Sequence, residues 1–177
     1  MSVVEYSNVI PPILCNDIIN YFNKENSNIF LIPKNNTKWK RIEMLLYKEL
    51  LLHIDKYKKT LLNQLTDIYT NQLYSSLSSK LYLDSFKIIK YSQQESDIFI
   101  NNYELTNNRH NVLSFIFYLN DVSEGGEISF KNNNITVKAN KCTLIIFPEN
   151  IPNNYKCKLP IHTDQYIITG QIRENYI

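Results

Sequence analysis

The sequence predicts a mainly β, α+β domain: an antiparallel sandwich or barrel with helices packed on one sheet. Three observations lead there. Val112 to Phe147 reads as short apolar strands separated by turns (VLSFIFYLND, VSEGGE, ISF, KNNN, ITVK, ANK, CTLIIF). Short links of this kind join antiparallel neighbours, not parallel ones. From Trp39 to about Leu77, apolar residues recur at three and four, the spacing of a helix with one buried face. The order, helices first and then about eight short strands, suits a layered domain with a helical cover.

Composition sets the frame for these elements. At 177 residues, 44% of them hydrophobic and 12% aromatic, the chain is long enough for one well-filled core and is not of disordered type. We take 1–177 as a single domain, with 1–80 a helical buttress and 81–177 the β core. A net charge of +2 gives no field that favours nucleic acid or a membrane surface. No apolar run reaches the roughly 20 residues of a membrane span, and a signal peptide's basic flank and apolar core are missing. Cys15, Cys142 and Cys157 are odd in number and without paired spacing, so free thiols in a cytoplasmic setting are expected, not zinc. Heavy use of Asn, Ile, Lys and Tyr, with Ala139 the only alanine, suggests an AT-rich genome.

Taken in order, Ser2 to Ser7 is a short strand, and Pro11-Pro12 opens a helix whose apolar stripe is Ile13, Ile18, Ile19 and Phe22. Ile29 to Ile32 is a strand stopped by Pro33. Ile42, Leu46, Leu50, Ile54, Tyr57, Leu61, Leu65 and Ile68 then mark one long helix, or two joined near Tyr57 to Thr60. Leu45, Leu51 and Leu62 broaden that stripe, which favours packing on a sheet over a narrow coiled-coil seam; a dimer through this helix is the competing reading. Ser75, Ser76, Ser78 and Ser79 read as a loop. Leu81 to Tyr91 and Asp97 to Ile100 are strands, and Asn101 to Asn111 is a polar loop. Val112 to Leu119 is a buried strand halted by Asn120-Asp121. Gly125-Gly126, in a chain of only 3 glycines, marks a tight reversal with positive φ. Strands follow at Ile128 to Phe130, Ile135 to Val137, Cys142 to Phe147, Tyr155 to Leu159 and Gln165 to about Ile172.

The residues Tyr118-Leu119-Asn120-Asp121, Glu124-Gly125-Gly126-Glu127, Phe130, Ile135, Lys138, Lys141-Cys142 and Leu144-Ile145-Ile146-Phe147-Pro148, in that order, resemble the core of the prolyl-4-hydroxylase-type 2-oxoglutarate/Fe(II) oxygenases. The resemblance implies a double-stranded β-helix (jelly roll) with the N-terminal helices on one sheet. It also implies a chemistry. In that family two imidazoles and one carboxylate hold iron and leave positions for 2-oxoglutarate and dioxygen. A basic residue grips the far carboxylate of the cosubstrate.

Matched motif by motif, those positions are changed. Asn101 and Tyr103 fall where the family has His-x-Asp. Lys156, four residues before Pro160-Ile161, falls at the distant His. Gln165, before Tyr166, falls at the cosubstrate-gripping base. An amide, a phenol and an ammonium do not replace that ligand set, and Lys156 would set positive charge at the metal position. A one-residue slip of register would turn Tyr155 or Cys157 inward instead. Other histidines do not restore the set: His53 lies on the long helix as a surface or helix-edge residue, His110 in the loop before the central strand, and His162-Thr163-Asp164 in a turn between late strands.

The resemblance therefore implies a pseudoenzyme, with no catalytic or metal residues and no cofactor, acting as a protein-binding module. Degenerate copies of this fold in AT-biased chains resemble the oxygenase-like domains of poxvirus proteins. The implied partner is a host protein, such as a prolyl hydroxylase or an innate sensor, met in the host cytosol or nucleus. The alternative is an iron/2-oxoglutarate-dependent dioxygenase with unusual metal ligands. A small basic aromatic patch, Lys38, Lys40 and Arg41 around Trp39, reads as a solvated helix start in preference to a nucleic-acid contact.

Overall fold

The computed structural model describes residues 3–34, 36–64, 68–83, 85–94, 99–100, 111–131, 134–148 and 155–174. Its elements run β1 (Val4–Tyr6), α1 (Pro12–Phe22), β2 (Ile29–Leu31), α2 (Thr37–Leu62), α3 (Ile68–Ser78), β3 (Leu81–Leu83), β4 (Lys87–Tyr91), β5 (Phe99–Ile100), β6 (Asn111–Tyr118), β7 (Ile128–Phe130), β8 (Ile135–Val137), β9 (Leu144–Pro148), β10 (Tyr155–Lys158) and β11 (Gln165–Glu174). The strands form two antiparallel sheets. The larger has the order β1-β9-β6-β11-β4-β2, with β3 also on β11, and the smaller has the order β5-β10-β7-β8. This is the expected jelly-roll-like, mainly β architecture with its helices on one sheet. The first 80 residues are not helix alone, because β1 and β2 form the two edges of the larger sheet.

Two apolar cores account for the layering. In the first, Cys15, Ile18 and Phe22 of α1 and Trp39, Ile42, Leu46, Leu50, Ile54, Tyr57 and Leu61 of α2 cover one face of the larger sheet, meeting Phe115, Phe117, Leu144, Ile146 and Ile168. In the second, the opposite face supplies Ile89, Ile116, Tyr118, Ile145, Phe147 and Ile167, and the smaller sheet closes over them with Ile128, Phe130, Val137 and Tyr155. Side chains alternate across a strand, so β6, central and covered on both faces, reads as an unbroken apolar run. Every residue of it after Asn111 is buried.

The helices differ from expectation in three places. The long stripe breaks after Leu62, at the C-cap Asn63, and not at Tyr57 to Thr60, since Tyr57 and Leu61 remain on the buried face. Ser75, Ser76 and Ser78 belong to α3, not to a loop. Burial of Leu73 and Leu77 holds that turn, and the Ser78 hydroxyl donates back to the Tyr74 carbonyl at 2.9 Å. Leu45, Leu51 and Leu62 do not widen the buried stripe; they are 39%, 43% and 45% exposed on the outward face of α2. Leu81 to Tyr91 is two strands, both paired with β11. Among the described residues, no helix is long and apolar enough to cross a membrane.

Candidate functional site

The double glycine shapes one end of the space between the sheets. Gly125 and Gly126 both take positive φ, 78° and 74°, which a residue with a Cβ resists. Both also allow close approach: a Cβ on Gly125 would collide with the Leu159 carbonyl, and one on Gly126 would lie 2.9 Å from Gln165 Nε2. The reversal they make docks on the late strands through Gly126 N–H to the Lys158 carbonyl (2.9 Å) and Ile161 N–H to the Glu124 carbonyl (3.0 Å). The preceding Asn120 clamps the same region from the other side, accepting from Tyr166 N–H at 2.8 Å and donating to the Asp164 carbonyl at 2.9 Å. The motif that carried the resemblance is thus a set of backbone fasteners.

Strand alternation decides what faces the space they enclose. On β11, Ile167 lies in the inter-sheet core and Ile168 in the helix-side core. Gln165, Thr169 and Gln171 accordingly share the inward face, and all three are buried. On β6 the inward set is Ser114, Ile116 and Tyr118, with Ser114 directly opposite Gln171. On β10, Tyr155 and Cys157 pack into the inter-sheet core. Tyr155 closes an aromatic cluster with Phe130 and Phe147, ring centroids 5.7 and 5.4 Å away.

Lys156 therefore points outward. It pairs with Ser129 across β7, on the face where the Ser129 and Thr136 hydroxyls hydrogen-bond at 3.0 Å. The one-residue slip is what the structure shows: Tyr155 and Cys157 hold the inward positions of this strand. Gln165 faces inward. Its amide Nε2 donates to the Gly126 carbonyl at 2.8 Å. Asn101, Tyr103 and His110 lie outside the described residues. His53 is buried, not a surface residue; its ring meets Tyr6 and its Nδ1 lies 2.8 Å from the Glu49 carbonyl. His162 bonds Glu124 at 3.1 Å, and Asp164 is tied to Lys90 at 2.8 Å and to Gln93 N–H at 3.0 Å, so this literal His-x-Asp is a turn fastener.

Burial governs the chemistry of the inward groups. It pushes the Cys157 thiol up to about 12, so at neutral pH that sulfur is neither a thiolate nucleophile nor a ready metal ligand. Burial likewise raises the Tyr118 phenol, with Cys157 beside it adding to the shift. Amides, hydroxyls, a phenol and a protonated thiol can hold a small polar ligand by hydrogen bonds. They offer no general base near neutral pH. Among the described residues no three His, Cys, Asp or Glu side chains converge as a metal site, so these residues do not supply the donor set that iron takes in the family. Sequence reasoning missed Ser114, Tyr118, Thr169 and Gln171 as inward-facing residues of the space between the sheets. The alternation of polar and apolar positions on β11 from Thr169 to Arg173 was the available signal; on β6 burial of both faces erases it.

No family model matches the chain, and no curated protein matches it by sequence. Solved structures do match. The viral collagen prolyl hydroxylase of Paramecium bursaria Chlorella virus-1 aligns with a TM-score of 0.69 at 14% identity, covering 99% of this chain and 91% of that one. The same enzyme in its 2OG complex gives 0.69 at 13% identity, covering 99% and 97%. A Pseudomonas putida prolyl-4-hydroxylase gives 0.62 at 14% identity, covering 98% and 93%. These neighbours overturn the expectation that no cofactor belongs to the chain: the fold it shares is that of prolyl hydroxylases, one of them solved as a 2OG complex. The chain has the prolyl-4-hydroxylase-type 2-oxoglutarate oxygenase fold.

Proposed function

We propose that this chain is a protein-binding domain on the prolyl-hydroxylase fold that does not carry out the family's hydroxylation. The observation that supports this most directly is the character of the inward side chains. On β10 they are Tyr155 and a Cys157 thiol whose pKa burial raises, and on β11 Gln165 brings a neutral amide and not a cation. What is lost on this reading is turnover by the family's ligand set. 2-Oxoglutarate remains a candidate ligand, since the inward face still offers Tyr118, Gln165, Thr169 and Gln171 as hydrogen-bonding groups. The partner we propose is a protein of a host cell, on the strength of the AT-biased composition and the resemblance to viral oxygenase-like domains.

The second reading is a working oxygenase with unusual ligands, favoured by the near-complete overlap with prolyl hydroxylases. Thermal unfolding with Mn(II) and 2-oxoglutarate, alone and together, followed by succinate assay with Fe(II), separates the two. A ligand at about a hundred times its dissociation constant stabilises by roughly 2.7 kcal/mol. At about 2–4 °C per kcal/mol that is a shift of several degrees. We expect no iron-dependent succinate, whether or not 2-oxoglutarate shifts the melting temperature. Succinate release that needs iron would overturn the proposal in favour of the enzyme.

A further inference from the structure

The outward face of α2 carries more apolar surface than a solvated helix needs. Met44, Tyr47, Leu51 and Leu62 are 63%, 44%, 43% and 45% exposed. The first three stand at i, i+3 and i+7, so they form one stripe on the side opposite Leu46 and Leu50. Beside this stripe opens a cleft of about 510 Å³, between α2 and β3, lined by Met44, Tyr47, Leu81 and Leu83. Lys34 and Lys80 stand at its walls, with Glu43 the one acid among the described lining residues. Lys40 and Lys58 fall on the same stripe, one before Met44 and one after Leu51, with Asp55 the acid between Leu51 and Leu62. The whole helix holds seven Lys or Arg against three Asp or Glu, an excess of four positive charges. The complete chain carries +2, so the rest of the molecule is slightly acidic and the positive field is concentrated here.

We propose that this stripe and cleft form a docking site for an acidic amphipathic helix of a partner protein. The inference rests on the protein-binding reading above and places the contact on α2, away from the space between the sheets. Apolar anchors at helical spacing, flanked by cations, suit a partner helix with matching apolar residues and acidic neighbours. The concavity argues against a bilayer, which is entered by protruding apolar ridges and not by a cleft that receives a side chain. A second copy laid helix against helix would set one excess of lysines on the other.

The test is selection on the folded full chain from a displayed library of helical peptides about 18 residues long, the span from Met44 to Leu62 at about 1.5 Å per residue. The expected winners carry apolar residues at i, i+3 or i+4 and i+7, interleaved with Asp or Glu. Their affinity for Met44→Asp, or for the double variant Lys40→Glu with Lys58→Glu, should fall about tenfold or more. Leu52→Asp, exposed on the other flank of α2, should leave it unchanged; circular dichroism confirms that each variant is folded. Winners insensitive to Met44→Asp would overturn this site while leaving the protein-binding reading intact. Failure to enrich any peptide, together with Met44-dependent binding to phosphatidylserine vesicles, would overturn it in favour of a membrane contact. A dimer in sedimentation that Met44→Asp dissolves would overturn it in favour of self-association. None of these readouts depends on succinate release, so they are independent of whether the chain turns over 2-oxoglutarate.

Discussion

Gly125 and Gly126 concentrate in two residues the backbone demands of the whole reversal between β6 and β7. Gly125→Ala must relieve both a positive φ and a clash with the Leu159 carbonyl. We expect a loss of about 1–3 kcal/mol in urea unfolding, against well under 1 kcal/mol for alanine at the exposed Ser123. The Lys90–Asp164 pair gives the clearest dependence on pH. A hydrogen bond from Lys90 holds the Asp164 carboxyl below the usual range, and Asp164 in turn raises Lys90. A depressed carboxylate stabilises the fold above its unfolded value near 3.9, and that share is lost as pH falls through the folded value. A raised ammonium stabilises below its unfolded value near 10.4, and that share is lost as pH rises through the folded one. The contribution should be level across neutral pH. Asp164→Ala should cost about 1 kcal/mol at pH 7 and less at about pH 3, read as the gap between urea midpoints. An equal gap at both pH values would show that the carboxylate's charge is not what matters. At this scale the sequence was legible where backbone geometry dictated a residue type, as at the two glycines. It misled at Lys156, because one step of register exchanges the two faces of a strand and no residue nearby fixes the step.

Helix α2 shows at element scale how one periodic pattern served two purposes. Its buried stripe reads directly from the sequence at three and four. The second set, Leu45, Leu51 and Leu62, reads as a widening of the first because hydrophobicity alone does not say what covers a face. The two sets should separate cleanly by mutation. Leu46→Ala, at a fully buried position against the larger sheet, should cost about 2–5 kcal/mol through lost transfer energy and a residual cavity. Leu51→Ala, 43% exposed, should change stability by about 0.5 kcal/mol or less. Equal losses in urea unfolding would mean that the outward stripe is covered in the free protein. Most strands were legible as elements for a related reason. Turn residues bound them, whereas Leu81 to Tyr91 was read as one strand and is two, and the break between α2 and α3 carries no Pro or Gly and was displaced in the reading.

The molecule as a whole is one sheet sandwiched between two unlike partners. On one side the larger sheet meets α1 and α2 through large side chains such as Trp39, Tyr57 and Phe22. On the other it meets four strands of only two to four residues each. The helix-side core is the broader of the two and includes residues from the first, middle and last parts of the chain. The inter-sheet core depends on the short strands, whose pairing involves few backbone bonds per strand. Stability should therefore be graded across the fold, highest in the strands that both cores bury and lowest in the smaller sheet. Hydrogen exchange read by mass spectrometry checks this. Amides of β6, β9 and β11 should exchange last, through global unfolding, and those of β8 and β10 should exchange earlier, through local opening of the smaller sheet. A ligand held between the sheets would tie the smaller sheet to the larger one and slow β10 selectively, whereas a helix docked on α2 would leave β10 as it was. Uniform exchange across both sheets would mean that the two cores unfold as a single unit, and that the smaller sheet is no looser than the one it covers.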